Sequence, residues 1–320
     1  MFLIEKNKNM KKIVKYLLRT VLVLFVLLNV VVMFHAYKFT HFYEPGEVTI
    51  KTEAEKTGSD RTKEMLFGIN TVKQKNVVPD SSFHTVKITT EDDFTLDAWE
   101  VKTPNAKGTV AMFHGHASKK SALLTEAASF RELGYNTLLV DLRAHGNSQG
   151  NTCTIGYNEG ADVKASYDYL QKNGEKNIVL YGISLGASTI TKAMNDYTIT
   201  PSKIIIELPF GTLAEAVSGR VKMMGLPAQP VATLLTFWGG TLHGFWAFSM
   251  KPAEYAKKIN CPTLLNSGKN DPRATPKEIN DIYTNLAGVK KQVVFENSAH
   301  ESLCKKEHEK WMANVTEFLK

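Results

Sequence analysis

Cysteine is scarce in this chain: three among 320 residues (Cys153, Cys261 and Cys304), with no pair spaced C-x-x-C. That excludes a zinc ribbon or dithiol redox motif and leaves room for one disulfide at most. Compositional bias is missing too: with 43% hydrophobic and 22% charged residues, the chain is neither disordered nor a multi-span membrane protein. A basic domain is also lacking. The net charge is +7, but six of those charges belong to residues 1–38, where Lys6, Lys8, Lys11, Lys12, Lys15, Arg19 and Lys38 face only Glu5. The rest of the chain is nearly neutral and offers no footprint for nucleic-acid phosphates, so no nucleic-acid partner is expected.

What the N-terminus does have is a run without formal charge. The eighteen residues Thr20 to Tyr37 are just long enough to cross a hydrocarbon core at helical rise. The basic cluster precedes them, which holds that end in the cytoplasm, and Tyr37, Phe39, Phe42 and Tyr43 are expected to form an aromatic belt at the far interface. Phe34-His35-Ala36-Tyr37 has no small-x-small pattern, so the segment reads as a retained anchor rather than a cleaved signal. The expected organisation is a cytoplasmic segment and single-pass anchor (1–43, N-in and C-out), a juxtamembrane tether (44–80), and an extracytoplasmic globular domain (81–320).

From His84 the pattern changes to short β-branched runs. HTVKITT and FTLDAWEV flank an Asp92-Asp93 turn and predict a hairpin. The runs GTVAMFH, YNTLLVD, NIVLYG, KIIIELPF, PTLLNSG and KKQVVFE then alternate with helical segments. Strands separated by helices of that length require right-handed crossovers, hence an α/β fold with a mostly parallel sheet covered on both faces. Residues 211–258 interrupt the alternation.

G-x-S-x-G occurs twice. Gly146-Asn147-Ser148-Gln149-Gly150 follows a strand but runs into the polar, non-helical Asn151-Thr152, and reads as a loop. Gly182-Ile183-Ser184-Leu185-Gly186 lies between the strand NIVLYG and the helix GASTITKAMN, the context of a nucleophile elbow. A serine on so sharp a turn has strained dihedrals, and the residues two before and two after it crowd together, so glycine is wanted at both. Ser184 is therefore the candidate nucleophile, and the Leu185 N–H at the helix start is a candidate oxyanion donor.

A serine hydroxyl needs a histidine to take its proton and a carboxylate to orient that histidine. His300 lies immediately after the last predicted strand, at the same sheet edge as Ser184. Asp271 follows PTLLNSG and precedes a helix whose start Pro276 marks; Glu207, ending the preceding strand, is the alternative acid. The second oxyanion donor is expected from His114-Gly115-His116-Ala117, with the backbone N–H of His116 first and that of Ala117 next. The imidazoles of His114 and His116, and the segment Asp141 to Ser148, are expected to brace the loop and floor. No metal or cofactor is expected.

The motifs HGHA, DLRAHGNSQG, GISLGA, GKNDPRATP and SAH, in this order over about residues 84–320, resemble the α/β-hydrolase superfamily, in its serine-hydrolase branch with serine aminopeptidase S33-like proteins. The resemblance implies an α/β-hydrolase fold with a lid inserted after the sixth strand, at 211–258, and the chain order Ser184, Asp271, His300. Within that insertion the 28 residues from Met223 to Met250 hold no formal charge, and its glycines and prolines break it too often for a second span. Phe237, Trp238, Phe245 and Trp246 are expected to line the lid against a lipophilic substrate. The function implied is carboxylic ester hydrolysis of a small or lipid-like molecule, with a peptidase, amidase or thioesterase as alternatives in the same fold. A silent binding protein is a further alternative, against which the intact Ser184, Asp271 and His300 speak.

Overall fold

The computed structural model describes residues 2–79 and 82–320, with side chains from residue 9 onward. The side chains of Lys6 and Lys8 and the expected boundary at residues 80 and 81 lie outside the described residues. The chain begins as one long helix, α1 (Phe2–Thr40), because nothing between Phe2 and Thr40 breaks it: no proline or glycine occurs there. Its N-terminal part is bare, with Leu17, Leu22 and Leu24 each about 60% exposed. Among the described residues it is the one helix long and apolar enough to cross a membrane.

Residues 44–79, within the segment expected as a tether, are folded against α1 and the domain. β1 (Phe42–Tyr43) pairs in parallel with β2 (Thr71–Val72). Between them, α2 (Gly58–Phe67), closed by a Thr57–Asp60 capping box, packs on α1 through an edge-on Phe34–Phe67 contact. Lys73 is buried against Glu44 and the Ser148 carbonyl, and Asn76 donates to Asp141. The expected aromatic belt is corrected in the same place: Phe42 is 1% exposed inside the domain core, and Phe39 stacks on His116.

The sheet has eight strands. The hairpin of β3 (His84–Thr89) and β4 (Thr95–Val101) is antiparallel, and β4 runs antiparallel to its neighbour β6. β5 (Thr109–Phe113), β6 (Asn136–Val140), β7 (Ile178–Ile183), β8 (Lys203–Glu207), β9 (Thr263–Gly268) and β10 (Lys290–Phe295) are mutually parallel, giving the order β10-β9-β8-β7-β5-β6-β4-β3. β5 and β6 are buried at every position because helices cover both faces. One face carries α3 (Leu124–Glu132), α10 (Leu303–Lys306) and α11 (His308–Leu319), whose Phe130, Leu303 and Trp311 close one core. The other carries α4 (Gly160–Lys172), α5 (Leu185–Asp196) and α9 (Pro276–Asn285), with Val163, Ile190 and Ile282 in the second core.

The chain leaves β5 for β6 on one side and returns to β7 on the other. That reversal opens a crevice at the carboxyl ends of β5 and β7, where open α/β sheets bind ligands. The insertion after β8 contributes α6 (Leu213–Met223), α7 (Val231–Thr241) and α8 (Pro252–Tyr255). α7 lies along the C-terminal part of α1: Trp238 Nε1 donates to Asn29 Oδ1 at 3.0 Å, and His243 Nε2 meets Thr40 Oγ1 at 2.6 Å. The three cysteines are free.

Candidate active site

Ser184 is the hinge between β7 and α5, with φ +54° and ψ −110°. A non-glycine residue takes up that strain only when its surroundings over-determine it. Here they do: the Ser184 N–H donates to the Glu207 carbonyl at 2.8 Å, and the Ser188 N–H donates back to the Ser184 carbonyl at 3.0 Å. The two flanking glycines are steric necessities. A Cβ on Gly182 would stand 2.5 Å from the Gly186 carbonyl carbon, and one on Gly186 would stand 2.2 Å from the Phe113 carbonyl oxygen.

Three loops bring the expected residues together. His300 Nε2 is 2.8 Å from Ser184 Oγ, and His300 Nδ1 is 2.8 Å from Asp271 Oδ2. Asp271 is 2% exposed at its side chain, and its other oxygen, Oδ1, accepts the Arg273 N–H at 2.7 Å and the Ala274 N–H at 3.2 Å. Those two bonds fix the carboxylate before any substrate arrives. Pro276 opens α9 directly after its N-cap Thr275, whose capping box with Glu278 ends the Asp271 loop where the sequence predicts.

Glu207 does not compete for His300. Its side chain is fully buried, where Oε1 accepts from Trp311 Nε1 at 2.6 Å and from Asn266 Nδ2 at 2.9 Å. Burial pushes its carboxyl up to about 7. Its contribution to the site is its backbone carbonyl, which holds the elbow.

The loop after β5 sorts the two oxyanion candidates. The Ala117 N–H is occupied, donating to His145 Nε2 at 3.1 Å, whereas the His116 N–H has no acceptor among the described residues. Leu185 is the first residue of α5, so its N–H has no intrahelical partner. The imidazoles are structural. His114 donates from Nδ1 to the Gly115 carbonyl and accepts the Leu142 N–H at Nε2, while His116 Nε2–H donates to the Phe39 carbonyl at 3.2 Å. Burial, reinforced by Arg220, pushes His116 down to about 3, so its ring is neutral. The floor is braced by Asp141, which accepts from Lys120, Asn76 and the Asn147 N–H.

A cavity opens over Ser184 and His300. Its walls are largely apolar, with Ile155, Leu208 and Phe210 from the domain and Leu213 and Val217 from α6. The four lid aromatics expected to face substrate are not among its lining. Phe245 stacks on Tyr157 at 4.3 Å, Trp238 is bonded to α1, and Phe237 and Trp246 are exposed. Three lining residues were not expected at the site: Arg220 on α6 and Arg273 beside Asp271, which carry no signal of their own in the sequence, and Phe39 at the end of α1, expected instead in the interfacial belt. No carboxylate lines the cavity among the described residues.

Comparison with known proteins bears on this arrangement. Residues 104–243 match the family model described as Serine aminopeptidase, S33. The chain is 24% identical over 230 residues to YqkD, an uncharacterized protein of Bacillus subtilis, covering 71% of this chain and 75% of that one. It is also 24% identical over 144 residues to an uncharacterized membrane protein of Saccharomyces cerevisiae, covering 43% of this chain and about half (51%) of the relative. Among solved structures, the Pyrococcus furiosus esterase Pf2001 superposes with a TM-score of 0.64 at 24% identity, over 79% of this chain and 98% of its own. An acetyl xylan esterase from Paenibacillus sp. R4 superposes with a TM-score of 0.58 at 18% identity, over 76% and 87%. The chain has the α/β-hydrolase fold.

Proposed function

We propose that the protein is a membrane-anchored serine hydrolase that cleaves carboxylic esters through an acyl-Ser184 intermediate. The observation that carries this reading is the unbroken chain of 2.8 Å contacts from Ser184 Oγ through His300 to Asp271 at the floor of an apolar cavity. In the reaction, His300 Nε2 takes the hydroxyl proton as Oγ attacks the ester carbonyl carbon. The oxyanion that forms is held by the N–H groups of Leu185 and His116. The intermediate collapses, the C–O bond to the alcohol breaks, and the alcohol leaves with the proton from His300. Water then attacks the acyl-enzyme by the same route and releases the acid. Asp271 keeps the Nδ1–H tautomer and stabilises the imidazolium without being protonated.

Esterases among the structures sharing the fold support ester chemistry. An aminopeptidase needs a carboxylate to receive the substrate's α-ammonium, and this cavity offers two arginines instead. The apolar α1 and the basic residues before Thr20 support a single-pass anchor with the catalytic domain outside the cytoplasm. The test is a rate profile of the full chain over p-nitrophenyl esters from about two to about sixteen carbons beside a panel of aminoacyl amides. Ester turnover without amide turnover is expected, and amide turnover without ester turnover would overturn the assignment.

A further inference from the structure

Arg220 and Arg273 both line the cavity over Ser184, and among the described residues neither is paired with a carboxylate. Arg143 shows how this chain treats an arginine it merely buries: its guanidinium is clasped by Asp92 and Asp162. Arg220 is held differently, lying 4.7 Å over the ring of Phe39, which in turn stacks on His116 at 4.4 Å. A guanidinium held over a ring face by a cation–π contact keeps its N–H groups for other acceptors. Arg273 is brought to it by a close backbone approach, since a Cβ on Gly219 would lie 3.2 Å from the Arg273 carbonyl oxygen. Burial and the neighbouring Arg273 push Arg220 down to about 10, which leaves it charged at neutral pH. Two like charges in a mostly apolar cavity repel each other, and an anion between them removes that cost.

We propose that Arg220 and Arg273 form an anion site that receives a carboxylate or phosphate group carried by the ester substrate, making anionic esters the preferred substrates. The proposal rests on the serine-hydrolase reading above. Arginine suits the role because its fork matches a planar or tetrahedral oxyanion with two parallel hydrogen bonds. The oxyanion is supplied either by a soluble dicarboxylic monoester or by a lipid headgroup.

The test uses the full chain in neutral detergent and two matched pairs. 4-Nitrophenyl hydrogen adipate against 4-nitrophenyl heptanoate varies charge at similar length, and a monoacylglycerol phosphate against the uncharged monoacylglycerol does so for a lipid. At least one anionic member is expected to exceed its neutral partner in kcat/KM by about tenfold or more, and the pair showing the preference identifies the source. In the Arg220→Gln/Arg273→Gln double variant that ratio should fall to about one. Arg220→Lys and Arg273→Lys should retain part of the preference, which separates loss of charge from loss of folding. Turnover of the neutral esters with no anionic preference in either pair would overturn the anion site and leave the hydrolase reading standing. No turnover of any of the four would overturn both.

A second observation concerns the outer face of the insertion. Met223, Met224, Leu226 and Trp246 are each about half exposed or more, within the uncharged run from Met223 to Met250. α7 is bonded through Trp238 to Asn29, the middle of the uncharged stretch of α1, and α1 is bare on the inner side of that point. Given the anchor, we infer that α7 and the turn before it lie in the outer half of the bilayer beside α1, with lipid covering the exposed rings. Brominated phospholipid vesicles holding the full chain test this, because Trp99 and Trp311 are buried in the domain. Tryptophan emission should be quenched in the wild type and much less in Trp238→Phe/Trp246→Phe. Equal quenching in both, or none in the wild type, would overturn the inference.

Discussion

The two G-x-S-x-G segments make a natural experiment within one chain. In both, glycine is required by sterics: a Cβ on Gly146 would stand 2.2 Å from the Asp141 carboxyl carbon, as one on Gly186 would from the Phe113 carbonyl. The serines nevertheless have opposite circumstances. Ser148 is 1% exposed, and its hydroxyl donates to the Asp141 carbonyl at 2.6 Å while accepting the Asp97 N–H at 2.8 Å. Its hydrogen bonds are spent joining the loop to the sheet. Ser184 Oγ faces a cavity and, among the described residues, meets only an imidazole. The motif records where a backbone must pass closely; the partners of the hydroxyl decide whether the serine can react.

The largest effect that sharpens this contrast is Ser184→Ala, which should lower kcat by about 10⁴ to 10⁶ with little change in melting temperature. Asp271→Asn should cost about 10⁴ in kcat, because an amide at that position favours the wrong tautomer of His300. Steady-state kinetics on Asp271→Ala, His300→Ala and their double variant should also be non-additive, with the double no worse than the poorer single. A product of the two losses would argue for independent structural roles. Ser148→Ala should behave inversely, keeping the chemistry while losing about 1 to 3 kcal/mol of stability in denaturant unfolding, since it orphans buried hydrogen-bonding groups.

The smallest effect is a matter of pH. Glu207 rises from an ordinary value near 4.5 to about 7 through burial. The native state therefore retains a proton that the unfolded chain has released between those limits. Its stabilising contribution is full below the lower value and is lost as pH rises through the upper one. Glu207→Gln keeps an oxygen acceptor for Trp311 and Asn266. Melting curves from about pH 5 to about pH 8 should show the variant gaining on the wild type as pH rises, with ester turnover largely retained. A dead Glu207→Gln enzyme beside an active Asp271→Asn enzyme would reverse the assignment of the acid.

The strands and the positions of Ser184, Asp271 and His300 are legible in the sequence for a shared reason. Strands buried on both faces read as continuous apolar runs such as KIIIE, and Ser184, Asp271 and His300 each follow such a run at its carboxyl end. The lid was misread because composition does not say which way a helix faces. The apolar, aromatic α7 turns toward α1, and the less conspicuous α6 supplies the cavity wall with Leu213, Val217 and Arg220. Arg220 and Arg273 carry no local signal, since their meeting depends on α6 crossing the Asp271 loop at Gly219. The fold of residues 44–79 is illegible in the sequence because its two-residue strands and isolated side-chain contacts have no period to detect.

If His300 arms one of the two G-x-S-x-G motifs and not the other, the site of covalent labelling by a fluorophosphonate, located by peptide mass spectrometry on the full chain, reports it. A single adduct is expected on Ser184, lost in His300→Ala and retained in Ser148→Ala. An adduct on Ser148, or labelling of Ser184 that is indifferent to the loss of His300, would contradict it.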